Sequence, residues 1–348
     1  MNYYTNTHKH YCGIDLHSKQ MYVCIIDDKG QILLHKNIVC DASIFLKTIE
    51  PYREDLVVGV ECIYSWYWLA DLCSKENIEF VLGHALYMKA IYGVKSKSDK
   101  IDSHKIAGLL RGGMFPTAYA YPEAMRSMRD LIRRRLYLVR KRAEILAHIQ
   151  MTHHQHNLKA PGAKLSRHNH RKAFVPEFKD EVVNRMVQSD LYLCEHFTIE
   201  INKVSHYLNK QAKKDSVKTT ELALLKTMPG IGDILSLTFA YEIENPKRFK
   251  TVQRFSSYAR LIKPKKTSAG KKAGSGKKKI GNAYLKWGFS EASALFLRHD
   301  DRAKKLLQRL QRKGSKSRAL GIFNHKVGKA VYFMLLRGDG FMPNKFYA

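Results

Sequence analysis

The sequence predicts an α/β domain built on a mixed sheet, followed by long helices and a mainly helical C-terminal region. Three observations carry that prediction. Three strand-like runs follow one another within residues 11–39, apolar strands then alternate with helical patterns to about residue 120, and beyond residue 122 the apolar positions recur at three, four and seven. The runs YCGIDLHS, MYVCIIDD and ILLHKNIV, the last two joined by the turn signal DDKG, form a β-meander. A helix over about 42–50, the strand LVVGVE, an aromatic helix over about 64–75 and the strand IEFVLG complete a mixed sheet covered by helices.

Met128, Leu131, Leu138, Ile145 and Ile149 lie along one seam of a helix over about 123–155, and a second long helix over about 178–213 is expected to fold back on it. The pair reads as antiparallel coiled-coil helices, a stalk or dimerisation arm. Arg129, Arg133, Arg134, Arg135, Arg140, Lys141 and Arg142 run between the apolar positions, either as a solvated face or as a nucleic-acid contact. Boundaries are expected near residues 120 and 218, giving regions 1–120, 121–218 and 219–348.

A chain of 348 residues with 45% hydrophobic content has enough apolar material for real cores. Its 61 Lys and Arg against 31 Asp and Glu leave a net charge of +30, an excess that favours a polyanionic partner, and nucleic acid is the economical one. No apolar run approaches the length of a spanning helix and the start MNYYTNTHKH is no signal peptide, so a cytoplasmic location without membrane contact is expected. Cys12, Cys24, Cys40, Cys62, Cys73 and Cys194 form no CxxC pair and read as reduced core residues.

Carboxylates stand out in so basic a chain. Asp15 lies inside the first strand and Glu61 ends the fourth, positions where a buried acid is costly unless paired or metal-bound. In KSKSDKIDSHKIAGLL (residues 95–110), Asp99 and Asp102 are three apart and share a helix face. They either help bind a cation or serve the helix, Asp99 as its cap and Asp102 in its first turn. Converging oxygen donors of this kind suit two Mg²⁺ ions acting on a phosphodiester. Further on, the turn MPGIG (residues 228–232) has the composition of a helix-hairpin-helix that approaches phosphate, and equally that of a tight turn between packed helices.

The acid in GIDLHS, the acid closing VGVE and the SDKIDSHKIAGLL segment resemble the RuvC-type, RNase H-like nuclease domain of DEDD transposases, in particular the insertion-sequence one-ten family. The C-terminal stretches MPGIGDILSLTFAYEIENPKRFKTVQRFSSYARLIKP, SAG, IGNAYLKWGFSEAS and HKVGKAVYFML are similar to that family's second transposase domain, in the same order. The resemblance implies that Asp15, Glu61, Asp99 and Asp102 are catalytic metal ligands for Mg²⁺, with Mn²⁺ as a substitute. It also implies a nucleophilic serine, falling on Ser268 in KPKKTSAG, with Ser275 in AGSGKKK as competitor and a lysine-rich linker without a nucleophile as the plain reading.

Its further implications are a recombinase that cuts and rejoins donor and target DNA, a structured non-coding RNA that bridges them, and a homodimer that forms a tetramer in the synapse. Such an enzyme works at the nucleoid of a bacterial or archaeal cell. A Holliday-junction-resolvase-like nuclease using the same acids and water is the alternative. The chain departs from the family pattern at Arg260, where glycine is usual, and in the strongly basic loop that follows.

Overall fold

The computed structural model describes residues 2–91, 98–263, 265–268, 271–275 and 280–348. The chain divides into two compact units, Met1–Glu123 and Ala124–Ala348.

The first unit contains β1 (Tyr3–Tyr4), β2 (His10–Leu16), β3 (Gln20–Asp27), β4 (Ile32–Val39), α1 (Ala42–Ile49), β5 (Leu56–Glu61), α2 (Tyr67–Lys75), β6 (Glu79–Gly83), α3 (Ala85–Ile91), α4 (Asp99–Arg111) and β7 (Phe115–Pro116). Its main sheet has the order β4-β3-β2-β5-β6. The meander strands pair antiparallel, whereas β5 and β6 join β2 in parallel, so the sheet is mixed as the pattern predicts. Alternation sorts the side chains. Cys12, Ile14 and Leu16 of β2 face a core that includes Phe45 of α1 and Leu69 of α2, while Tyr11 faces the opposite layer with Ile106 and Leu110 of α4.

Gly13 and Gly59 are register partners on β2 and β5, on the face covered by α4. A Cβ at Gly13 would lie 2.2 Å from the Ser103 carbonyl oxygen and 2.3 Å from the Ala107 nitrogen. Only glycine admits the helix backbone this closely. At Gly59 the neighbour would be a side-chain atom, Leu110 Cδ1, at 2.6 Å.

Among the described residues the second unit is helical apart from the strand pair β8–β9. It comprises α5 (Glu123–Gln155, whose first residue closes the other unit), α6 (His168–Lys172), α7 (Glu181–Ala212), α8 (Ser216–Lys226), α9 (Asp233–Ile243), α10 (Val252–Tyr258), the strands β8 (Lys265–Ser268) and β9 (Lys271–Ser275), α11 (Ala283–His299), α12 (Asp301–Gln311), α13 (Lys316–Arg337) and α14 (Pro343–Tyr347). Partners of α5 descend along α7 as α5 ascends: Arg135 Nε donates to Ser205 Oγ (2.7 Å), Arg142 Nη1 to Thr198 Oγ1 (3.1 Å), and His148 Nδ1 meets Asp190 Oδ2 (2.6 Å). The two long helices are therefore antiparallel within one chain.

Two cores serve this unit. The larger joins the roots of α5 and α7, through Ile132, Leu136, Leu208 and Ala212, to α8, α9, α11 and α13. The smaller, at the far end of the helix pair, is built on Ile149, Leu165, Phe178 and Val187. Among the described residues no helix is long and apolar enough to cross a membrane. Cys12, Cys24, Cys73 and Cys194 are buried free thiols as expected, but Cys40, just past the end of β4, is only partly buried and Cys62, next to Glu61, is exposed because it follows the end of β5.

Candidate functional site

The glycine pair positions the acids. Asp15 and Glu61 follow Gly13 and Gly59 by two residues on neighbouring parallel strands, so they share the face on which α4 lies, at the C-terminal ends of β2 and β5. The first turn of α4 brings Asp99 and Asp102 to that end. Its cap is Ser98 rather than Asp99: Ser98 is extended and its Oγ accepts from the Ile101 N–H at 3.3 Å, which leaves Asp99 as the first helical residue. Lys95 and Lys97, which precede this helix in the sequence, lie outside the described residues.

A histidine ties the helix to the edge of the sheet. His35 of β4 donates from Nε2 to the Lys100 carbonyl at 2.9 Å and lies 3.2 Å from Ser103 Oγ. Burial lowers its pKa, as do the charges of Lys100 and His104, against the opposing effect of the Lys100 hydrogen bond.

Asp15, His17 and Asp99 converge, with one donor atom from each lying within 4.8 Å of the others. His17 Nε2 is 3.6 Å from Asp15 Oδ2 and 3.3 Å from Asp99 Oδ2. Asp102 is the more enclosed of the helical pair, 15% exposed against 58% for Asp99, and pairs with Lys105 Nζ at 3.5 Å. The converging group does not contain Glu61 or Asp102. His17 is the residue that reading for acids passes over. Its signal is the i, i+2 spacing from Asp15 in GIDLHS, which continues one side of an extended segment. Two carboxylates and an imidazole fit a divalent metal: the oxygens suit Mg²⁺ or Mn²⁺, and the nitrogen favours the transition metal.

In the second unit, the basic residues of α5 are largely spent on internal partners. Glu242 of α9 is fully buried and accepts from Arg129 Nε (3.0 Å), Arg133 Nε (2.6 Å), Arg133 Nη2 (3.0 Å) and Asn282 Nδ2 (2.7 Å). Burial opposes its ionisation, but the Arg133 hydrogen bond, the two guanidinium charges and Asn282 together hold its pKa below the usual glutamate value. Neither a solvated face nor a nucleic-acid contact describes Arg129.

Ser268 ends β8 opposite Lys271, and Ser275 ends β9 opposite Lys265. This stretch, for which a linker was the plain alternative to a serine loop, has strand pairing, although the side chains of both serines lie outside the described part. Arg260, the departure from glycine, has φ +55°, the left-handed region that explains the usual glycine. Its Nε donates to the Ile280 carbonyl at 3.0 Å, linking the two sides of the hairpin's base. The MPGIG turn is occupied by packing: a Cβ at Gly230 would lie 2.5 Å from the Ala292 carbonyl oxygen, so that glycine serves the contact with α11.

A mixed-sheet unit with acids at parallel strand ends and at a helix start is the arrangement of an α/β protein able to hold a divalent metal. Two family models then give the family itself. The DEDD transposase model of IS110 matches residues 12–156, and the model described as Transposase IS116/IS110/IS902 family matches residues 222–308. The chain belongs to the IS110-type DEDD transposases, enzymes that cut and rejoin DNA, and this family implies a divalent-metal site. No curated protein matches the chain.

Proposed function

We propose that this transposase is a recombinase that uses Ser268 to attack the DNA phosphodiester and a metal site formed by Asp15, Glu61, Asp99 and Asp102, with a structured RNA bridging donor and target DNA. The observation that carries the reading is the convergence of Asp15, His17 and Asp99 inside the segment matched by the DEDD model. Support for the nucleophile comes from the sequence resemblance and from the lysine-rich hairpin on which Ser268 lies.

In the proposed step the Ser268 hydroxyl loses its proton as its oxygen bonds phosphorus. The bond from phosphorus to one DNA oxygen breaks, and that oxygen leaves as a hydroxyl after taking up a proton. The number of phosphoester bonds is unchanged, so rejoining by reversal needs no external energy source. Lysines around the phosphate favour both the serine alkoxide and the crowded phosphoryl group. A divalent metal, Mg²⁺ or Mn²⁺, supplies charge stabilisation of the phosphate oxygens when bound at the acids. The net charge of +30 suits simultaneous binding of RNA and DNA. Exchange of four strands calls for several active sites, hence a dimer on each DNA and a tetramer in the synapse.

The test is denaturing electrophoresis of labelled DNA incubated with the protein, its copurified RNA and Mg²⁺, followed by peptide mapping. The expected result is a covalent adduct on Ser268 that disappears in Ser268→Ala and persists in Ser275→Ala. Efficient cutting by Ser268→Ala without any adduct would establish water as the nucleophile and the resolvase-like alternative.

A further inference from the structure

A cavity of about 470 Å³ lies between α13, from Ile322 to Arg337, and the returning segment that carries α14. That volume is within the ~300–1,000 Å³ of small-molecule clefts. Gly338, in the left-handed conformation, ends α13 and turns the chain back, and Phe341 and Phe346 then pack edge-on or tilted against Phe296 and Phe323 to give the cavity an aromatic wall. Ile322, Lys326, Lys329, Phe333 and Arg337 line it from one face of α13, at steps of three or four residues.

Its lining combines two chemistries. Lys326, Lys329, Arg337 and Lys345 face one carboxylate, Asp339. No ion pair among the described residues engages these four cations. Lys326 and Arg337 instead lie over the rings of Phe346 and Phe333, at 5.4 and 4.8 Å. Burial first, then the charges of Arg309 and Lys329, lower the pKa of Lys326, as expected where like charges gather without a counter-ion. Ile322 and Met342 remain 43% and 37% exposed at the rim. An inorganic anion has no use for the apolar lining, and an apolar ligand has none for the cations.

The geometry points to a site for one unpaired nucleotide of a single-stranded nucleic acid, its base among Phe333, Phe341 and Met342 and its phosphates held by Lys326, Lys329, Arg337 and Lys345. Flat aromatic bases stack on such rings and the adjoining phosphates need cations, which is the pairing single-strand binders use. A duplex keeps its bases stacked and enters poorly. The inference rests on the nucleic-acid partner proposed above but not on the nucleophile or the metal.

The experiment is photo-crosslinking of the full-length protein to five-nucleotide single strands carrying one central 5-iodouracil, as DNA and as RNA, with peptide mapping. Either arm should crosslink within residues 322–346, and the stronger arm identifies which strand the site takes. Ala330→Trp fills the cavity while leaving every cation, and should lower the yield roughly tenfold or more. Ala330→Leu, a smaller plug, should lower it less, and serves if the larger variant fails to fold by circular dichroism. Ser268→Ala should crosslink like the wild type, which separates this site from the nucleophile. Crosslinks confined to other peptides, or a yield unchanged by both plugs, would overturn the proposal.

Discussion

Gly13 lies directly beneath the backbone of Ser103, with 2.2 Å separating the Ser103 carbonyl oxygen from the place a Cβ would take. A backbone carbonyl within a helix cannot swing aside as a side chain can. Gly13→Ala should therefore lift α4 and cost at least ~1–3 kcal/mol, with loss of DNA cutting because Asp99 and Asp102 move with the helix. Gly59→Ala meets only the mobile end of Leu110 and should cost clearly less. Urea unfolding of the two variants checks the ranking.

His17 should contribute to metal affinity although no acid-based reading includes it. His17→Ala is expected to weaken Mn²⁺ binding by at least about tenfold, the low end for losing a partner around a metal, and to affect Mg²⁺ less. Titration followed by Mn²⁺ electron paramagnetic resonance measures it directly. Equal Mn²⁺ affinity in variant and wild type would remove the imidazole from the coordination sphere.

Glu242→Gln leaves two guanidinium groups facing a neutral amide in a buried site and should cost ~3–5 kcal/mol. The folded-state pKa of Glu242 is lowered, so its stabilisation is fully present above the unfolded glutamate value of about 4.3 and is lost as the pH falls through the lower folded value. Wild-type stability should thus decline on acidification below about pH 4.3 more steeply than that of Glu242→Gln. Unfolding midpoints measured across that range decide it.

Arg260 combines an unfavourable backbone with a useful side chain. Arg260→Ala keeps the left-handed conformation and loses the bond to Ile280, whereas Arg260→Gly loses the same bond but removes a backbone cost of ~1–2 kcal/mol. The glycine variant should be the more stable of the two by about that amount in denaturant unfolding.

The first unit was legible because its signals are local. Period-two alternation and short apolar blocks mark β2 to β6, and the three-residue spacing of Asp99 and Asp102 survives in α4. The cap was harder to read, since Ser98 and Asp99 are adjacent residues of equal capping chemistry and only the backbone angles choose between them. The role of Arg129 was invisible: it depends on Glu242, 113 residues away, whereas a run of arginines on a helix suggests solvent or phosphate. His17 was within reach, since its strand spacing from Asp15 is local, but a histidine after a strand carries no ligand signal until Asp99 arrives from α4. The left-handed backbone at Arg260 has no marker in its own side chain; the glycine usual at that place was the clue.

The two cores of the second unit differ greatly in size, and the antiparallel helices α5 and α7 alone run the distance between them. At 1.5 Å per residue, α5 is roughly 50 Å long, and its far end is held by a small apolar cluster together with the His148–Asp190, His168–Glu195 and Arg171–Glu195 pairs. Stability is then graded along the pair. The root shares the large core of the unit, whereas the last turns around Ile149, Phe178 and Val187 rest on a small one, so hydrogen exchange should be faster at the distal tip than at the root.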